Sequence, residues 1–426
     1  MKIAIIGSGA IGCLYGAYLS RNNDVYMICR RRQTSDSIKR DGLTVYEPDK
    51  TCQVYKNVRA FVSGECREIM DLVIIIVKTS DTRESIESNM AMIGENTLVM
   101  TLQNGGGNDE KLSEFVPMDR IILGTTRHNS VNLGNGMVRH SGSGETYIGG
   151  NVDSKGLSAV ADAFNESGIE TIVSDDIARI IWSKLFVNLS INTFTAITKA
   201  PIGFLIDNDY SWFYPEKLIR EAIDIAAAEG ISFDPDEVLS QLRGICEKVA
   251  TGFSSMSQDV MNARLTEVDS INGYVVERGK AHGMSVAYNE FVVNLIHAIE
   301  HSYKMQTRIL KKFKIDEIVL QQGAANSCLY RVLQGSVACY MYFGTDKEYL
   351  VSVCGVGHCF GEYSAMSGNP NPYTVVANED TIILEIPKSD IHNYLAMNPK
   401  NSMDVIKSMS RQIAVATKHI ELLLDS

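Results

Sequence analysis

Lys2-Ile3-Ala4-Ile5-Ile6-Gly7-Ser8-Gly9-Ala10-Ile11-Gly12 is the stretch whose reading decides the fold. Ile3 to Ile6 is an uninterrupted apolar run of the kind buried on both faces of a parallel sheet. Glycines stand at 7, 9 and 12; Cys13, Leu14, Ala17 and Leu19 then follow at helical spacing, and Val25-Tyr26-Met27-Ile28-Cys29 is a second apolar run. Strand, Gly-x-Gly-x-x-Gly, helix, strand is the unit that binds dinucleotides. Gly7 makes the tight turn, Gly9 lets backbone approach a pyrophosphate, and Gly12 lets the helix pack closely on the sheet. With Ser8, Ala10 and Ile11 they form a predicted phosphate loop at a helix N-terminus, where free N–H groups and the positive dipole end attract anions. A structural glycine turn is the simpler reading, and the strand–helix–strand context outweighs it.

The end of the second strand selects the cofactor. An acidic residue there grips the ribose hydroxyl of NAD, whereas a cation is needed for the extra phosphate of NADP. Arg30-Arg31-Arg32 follows Cys29, so NADP(H) is expected, with Arg30 as its contact; a solvated basic loop accounts equally for Arg31 and Arg32. Asp71 to Val77 and Thr97 to Leu102 are further buried-strand patterns, ending at Lys78 and at Gln103-Asn104-Gly105. Ligands of open α/β sheets bind beyond the carboxyl ends of strands, which places Lys78 and Asn104 at cofactor or substrate. An Asn-Gly turn explains Asn104 as well. Ile121 to Gly149 alternates as strands and turns that close the sheet, giving a first domain over residues 1–174.

The 426 residues carry a formal net charge of −11, and their length suits two or three domains. Acidic balance is a poor basis for nucleic-acid or anionic-membrane binding. No uninterrupted apolar run reaches membrane-spanning length, so a cytoplasmic protein without membrane attachment is expected. Nine cysteines lack a Cys-x-x-Cys pair or a zinc-type spacing, so no metal site is expected.

After Asp175 the pattern becomes helical, over residues 175–302. In Ile181-Trp182-Ser183-Lys184-Leu185-Phe186-Val187-Asn188-Leu189-Ser190-Ile191-Asn192, the polar residues Lys184, Asn188 and Asn192 recur every four positions. At about 3.6 residues per turn they form one stripe on an otherwise apolar helix, the pattern of a lined crevice. Further helices are expected at 216–228, 235–251, 256–282 and 289–301. Ser255 is placed to cap the long helix, and Glu267 to pair with Arg264.

These residues resemble the ketopantoate reductases, the 2-dehydropantoate 2-reductases. The likeness runs through Gly7 to Gly12, Val77-Lys78-Thr79, Leu102-Gln103-Asn104-Gly105, Gly124-Thr125-Thr126, Trp182 to Asn188 and Asn192. It continues through Ser254-Ser255-Met256, Gln258-Asp259, Thr266 to Gly273 and Ala281-His282-Gly283, covering roughly the first 300 residues. It implies Lys184 as general acid and Asn188, Asn192, Ser255 and Glu267 as substrate-binding groups, with Asn104 between substrate and nicotinamide. Chemistry agrees: hydride transfer makes an alkoxide, and an ammonium supplies both a proton and a positive neighbour. Glu267, the second catalytic candidate, can accept a substrate hydroxyl and hold Lys184 in place.

Residues 303–426 begin with a basic connector, Tyr303 to Lys314, and then alternate short strands with glycine turns, the pattern of a small β-barrel or jelly roll. This part resembles the cyclic-nucleotide-binding fold, with Phe360-Gly361-Glu362-Tyr363-Ser364-Ala365 similar to its phosphate cassette. Asn371 stands where that resemblance places the phosphate-binding arginine, so a structural or differently liganded role is expected. A terminal helix sets Ile406, Met409, Ile413, Ala416, Ile420 and Leu423 three and four apart, a seam for a parallel homodimer or a stripe packed on its own barrel. The expectation is an α/β Rossmann-type domain, an all-α domain and a β-barrel/jelly-roll domain in a cytoplasmic NADPH-dependent reductase acting on 2-dehydropantoate, in pantothenate and coenzyme A synthesis. A reductase of another branched 2-oxoacid and a non-catalytic NADPH or nucleotide sensor are the alternatives.

Overall fold

A computed structural model describes residues 1–397, 402–410, 413–414 and 417. They form two compact units, Met1–Glu300 and His301–Ser426. The first unit opens with β1 (Lys2–Ile6), α1 (Ala10–Leu19), β2 (Asp24–Cys29), α2 (Arg32–Asp41), β3 (Leu43–Tyr46), β4 (Cys52–Tyr55) and β5 (Val58–Val62). Next come β6 (Leu72–Ile75), α3 (Thr82–Glu87), β7 (Leu98–Thr101), α4 (Asn108–Ser113) and β8 (Ile121–Thr126). Then β9 (Asn129–Gly134), β10 (Met137–Gly142), β11 (Thr146–Gly150), α5 (Ser154–Glu166) and β12 (Thr171–Val173) complete the sheet region.

Alternation along β1 shows why it sits mid-sheet. Ile3 and Ile5 enter one hydrophobic core with α1, Ala4 and Ile6 enter the other, and all four are buried. Each buried isoleucine contributes about 1.5–3 kcal/mol, so a strand apolar on both faces gains most between two neighbours. The sheet order is β12-β11-β8-β7-β6-β1-β2-β5. From β1 the chain moves to β2 on one side and later to β6 on the other, with both pairings parallel. That reversal makes the carboxyl ends of β1 and β6 a topological switch point, where such sheets bind ligands.

The segment Ile121 to Gly149 only partly closes this sheet. β8 and β11 join it, but β9 and β10 leave to pair with β3 and β4 in a second four-stranded sheet. His140, buried on β10, anchors that sheet through Tyr18 of α1 and through Glu47 after β3. Alternating polarity marks strands, but nothing local says which sheet they join.

The helical region comprises α6 (Ile177–Val187), α7 (Thr193–Thr198), α8 (Asp209–Ala228), α9 (Pro235–Lys248), α10 (Ser255–Met261), α11 (Asn272–His282) and α12 (Ala287–Ile309). Asp176 caps α6, and Asp234 caps α9 with Pro235 at its first position. Between α6 and α7 the helix continues as a π segment, Asn188–Asn192. The whole helix, Ile177–Thr198, is the one among the described residues long and apolar enough to cross a membrane, and 56% of its apolar window is buried in the fold. Lys184, Asn188 and Asn192 punctuate it, so a search for uninterrupted apolar runs overlooks it.

The expected helix over 256–282 is two helices. α10 ends where Ala263 adopts a positive φ of 50° and Arg264 N–H turns back to the Asp259 carbonyl, so residues 262–271 run as turns into α11. Apolar spacing persists through the break and hides it.

The second unit holds β13 (Leu310–Phe313), β14 (Ile318–Leu320), β15 (Cys328–Gln334), β16 (Val337–Met341), β17 (Tyr349–Cys354) and β18 (Cys359–Phe360). After α13 (Glu362–Ser367) come β19 (Thr374–Ala377), β20 (Thr381–Pro387) and α14 (Lys388–Met397). Two four-stranded antiparallel sheets, β13-β20-β15-β18 and β14-β19-β16-β17, enclose Val332, Val337, Cys339, Phe360, Val375 and Ile383 in a jelly roll. Part of the expected basic connector is strand: Leu310 to Phe313 pairs with β20. On the helix over 402–410, Val405 and Ser408 are buried while Ile406 and Met409 are exposed, as is Ile413 beyond it. Ala416, Ile420 and Leu423 lie outside the described residues.

A β-carbon on Gly12 would sit 1.9 Å from the Gly7 carbonyl oxygen, whereas one on Gly9 would meet open space. Gly12→Ala should therefore cost about 3 kcal/mol, and Gly9→Ala less than about 1 kcal/mol. Urea midpoints of the two variants check the difference.

Candidate active site

The stripe of α6 is built by two kinds of helical turn. From Lys184 to Asn188 four residues overshoot one α-turn by about 40°. From Asn188 to Asn192 the chain takes the wider i→i+5 turn of a π-helix, in which four residues fall short of a full turn. The second step thus winds back the drift of the first, and the three polar groups line up more closely than in a pure α-helix. Neither amide side chain has a hydrogen-bond partner among the described residues, although Asn192 is only 7% exposed. Polar groups so placed are held ready for a ligand.

Lys184 Nζ donates to the Thr126 carbonyl at the end of β8, 3.0 Å away. Burial pushes its pKa down to about 8, the Glu267 charge opposes that shift, and Arg127 adds to it. Among the described residues no hydrogen bond joins Lys184 to Glu267, so the expected direct hold is a through-space attraction instead. The Glu267 carboxyl is itself raised by burial and opposed by a hydrogen bond from Asn104 Nδ2, 3.2 Å away. Sheet and helical region therefore meet through two of the assigned residues, 163 positions apart in sequence. Gly106 N–H donates to the Ser270 carbonyl at 2.9 Å beside them, and Tyr274 lies against Gly106.

Several groups stand differently from expectation. Ser254, not Ser255, caps α10: it accepts from Ser257 N–H and bonds Thr195 of α7 at 2.7 Å. Ser255 is left exposed beside the helix that carries the stripe, with its hydroxyl free for a ligand. Arg264 pairs with Asp259 and not with Glu267, because the turn after α10 brings it back to that carboxylate at 3.0 Å. Lys78 bonds the same Asp259 at 2.9 Å and the Leu265 carbonyl, so in this state its charge fastens the helical loop to the strand end.

The phosphate loop meets the steric test for a dinucleotide. A side chain at Gly7 would collide with the Ile76 backbone and one at Gly12 with Gly7, while the space at Gly9 is open. Ser8, Ala10 and Ile11 complete the loop, and Gly9 N-caps α1 in extended backbone. Arg30 is largely exposed and pairs with Asp81 at 3.2 Å, an exchangeable surface contact worth at most about 1 kcal/mol. Arg32 pairs with Glu65 at 2.5 Å. Arg30 is thus the better placed of the two to reach a phosphate.

A cleft beside Lys184 and Asn188 is walled by Asn104, Trp182 and Tyr274. Asn108 Oδ1 and Thr125 Oγ1 line it as well, both buried and without a partner among the described residues. Sequence reasoning assigned neither. Thr125 lies in a quoted motif, but its orphaned oxygen is visible only once β8 and α6 are brought together.

In the jelly-roll unit, Asn371 is buried and its side chain donates to the Gln321 carbonyl at 3.4 Å. Its backbone N–H donates to the Ala324 carbonyl at 2.9 Å. Glu362, 1% exposed, accepts from Ser408 of the 402–410 helix at 3.4 Å. An amide committed to the turn at 371 supplies no cation, so these residues do not fit a cyclic phosphate. Cyclic AMP and cyclic GMP at millimolar concentration should leave the thermal midpoint of the protein unchanged; a rise of several degrees would contradict the argument from Asn371.

The sequence matches the family description "Ketopantoate reductase PanE/ApbA" over residues 3–152 and its C-terminal counterpart over 176–300. Residues 310–398 match "Cyclic nucleotide-binding domain". The 2-dehydropantoate 2-reductase of Halobacterium salinarum is 33% identical over 302 residues, which cover 70% of this chain and 98% of that protein. The Pyrococcus horikoshii protein of the same name is 34% identical over 307 residues, covering 70% of this chain and 98% of its own. Among solved structures, D-mandelate dehydrogenase with NADH and anilino(oxo)acetate is similar, at TM-score 0.68 and 30% identity, over 71% of this chain and all of that one. A PanE/ApbA family ketopantoate reductase from Ralstonia eutropha JMP134 matches at TM-score 0.66 and 30% identity over the same shares.

Proposed function

The chain belongs to the ketopantoate reductase family, and from that premise we propose that it reduces 2-dehydropantoate to pantoate with NADPH. The observation that carries this reading is Lys184: an ammonium at the sheet's carboxyl edge, within the field of Glu267, heading a stripe of two amides without side-chain partners among the described residues. When bound, the reduced nicotinamide supplies a hydride to the substrate carbonyl. The loop from Gly7 to Gly12 holds the pyrophosphate, and Arg30 exchanges Asp81 for the extra phosphate that distinguishes NADP(H). Lys78, on releasing Asp259, is a further cation within the same crevice.

Lys184 Nζ attracts the developing negative charge on the carbonyl oxygen and gives that oxygen its proton. A pKa of about 8 fits a general acid, because the ammonium is charged at neutral pH yet yields its proton more readily than an exposed lysine. Asn188 and Asn192 orient the 2-oxoacid, the Ser255 hydroxyl donates to its carboxylate, and Glu267 accepts from its hydroxyl. Asn104 holds Glu267 and would stand between bound substrate and nicotinamide. A second reading, reduction of a different 2-oxoacid, is favoured by the likeness to D-mandelate dehydrogenase.

Residues 1–174 would then serve the cofactor, 175–302 the substrate and 303–426 a separate C-terminal role, in a cytoplasmic enzyme of pantothenate and coenzyme A synthesis. Exposure of Ile406, Met409 and Ile413 supports a homodimer seam over packing on the barrel.

NADPH oxidation with 2-dehydropantoate, beside NADH and a panel of 2-oxoacids, tests the assignment. Lys184→Ala should lower kcat at least about a hundredfold while NADPH binding persists; unchanged turnover would remove Lys184 as the acid. Because the protonated lysine is the active form, kcat/KM should be flat below the lysine pKa and fall above pH about 8. Arg30→Ala should raise KM for NADPH about tenfold and leave that for NADH unchanged. NADPH bound without turnover of any oxoacid would favour the sensor reading.

A further inference from the structure

Behind the Thr126 carbonyl that receives Lys184 lies a buried polar array that the chemistry above does not use. Tyr15 OH donates to Thr126 Oγ1 at 2.7 Å and lies 2.5 Å from Thr146 Oγ1. The same Thr126 Oγ1 accepts from His128 N–H at 3.0 Å. His128 Nδ1 is 3.1 Å from His140 Nε2, and His140 Nδ1 is 3.1 Å from Glu47 Oε2. Tyr18 OH donates to both Glu47 oxygens at 2.8 Å. Tyr15, Tyr18, Thr126, His128, His140 and Thr146 are all at least nine-tenths buried.

The array is densely connected. The Glu47 carboxylate accepts from Tyr18 OH and faces His140 Nδ1, which itself lies 3.0 Å from Tyr18 OH. The Gly142 carbonyl, 2.9 Å from His140 Nε2, only accepts, so that nitrogen carries a hydrogen. Burial and the neighbouring His140 lower the His128 pKa. These contacts tie residues 126–128 to α1 and to the loop after β3.

We propose that Tyr15 and His128 are positioning residues for Lys184. Together with Glu47 and His140 they fix residues 126–128, and so the carbonyl that favours the charged form of the lysine. This rests on the reading of Lys184 given above. The groups facing the array are Tyr15 and Tyr18 of α1, Arg21 after it, Glu47 after β3 and Glu170 before β12. Those acting on Lys184 itself are Glu267 and Arg127.

Loosening Thr126 weakens a bond made to the protonated amine, so the lysine should titrate lower. Tyr15→Phe and His128→Leu should each move its midpoint down by about half a unit and lower kcat about fivefold, with KM for NADPH changed less than twofold. His128→Asn, which keeps a polar atom near the Nδ1 position, should restore both. The titration is read by NMR on reductively 13C-methylated protein, the Lys184 signal assigned by its loss in Lys184→Arg, so it does not depend on turnover. A Lys184 midpoint unmoved in folded Tyr15→Phe would overturn the proposal, even in a protein inactive on every oxoacid. If His128→Leu does not fold, Tyr15→Phe alone decides. Turnover lost without a shifted titration would mean that the array serves only the fold.

Discussion

The bond from Gly106 N–H to the Ser270 carbonyl is the constraint on which the catalytic unit turns. It requires two backbones to meet where almost any side chain would intervene: a β-carbon on Gly105 would lie 2.1 Å from that same carbonyl oxygen, and one on Gly106 would enter the Tyr274 ring. Because the strand end and the loop after α10 touch at this point, Asn104 reaches Glu267 and the field of Glu267 reaches Lys184. Remote parts of the chain thus form one crevice through main-chain contact, with side chains added around it. Side-chain pairs such as Thr79 with Ser270, 3.2 Å apart, reinforce the junction.

Much of this was legible in the sequence, for identifiable reasons. The apolar run at β1 and the spacing of Gly7, Gly9 and Gly12 are local signals, so the dinucleotide unit could be read directly. The stripe of Lys184, Asn188 and Asn192 is also local, being a matter of helical period. What escaped reading depends on distant partners. Lys78 finds Asp259 far along the chain, β9 and β10 desert one sheet for another, and the capping role passes from Ser255 to Ser254 because Thr195 lies within reach of the latter. Adjacent serines give no local preference; only the packing of α10 on α7 supplies one.

In the C-terminal unit, groups at the cassette-like helix are engaged within the barrel itself. Its strands, turns and cassette-like helix α13 keep the pattern of a cyclic-nucleotide barrel, because that pattern is demanded by the core of Val332, Val337, Phe360 and Ile383. The buried Asn371 donates to turn carbonyls, and Glu362 Oε1 accepts from Ser408 of the helix over 402–410. Arg331 is likewise engaged internally, with Asp404 at 2.9 Å and the Tyr394 hydroxyl at 3.0 Å. Arg331 and Glu362 thus tie the barrel to the helix over 402–410.

The π segment has a consequence for how this helix can change over time. A π turn holds one residue more than the α-helix it interrupts. Losing a single residue between Asn188 and Asn192 would turn the segment into regular α-helix, and the faster winding of that helix makes up for the missing residue, so everything beyond it keeps nearly its present direction. Thr195 would stay beside Ser254, and Asn192 near the line of Lys184. The same loss elsewhere between Lys184 and Thr195 would rotate the rest by about 100° and misplace both docking points together. The π segment is therefore the part of this helix whose length can change at least cost to the site.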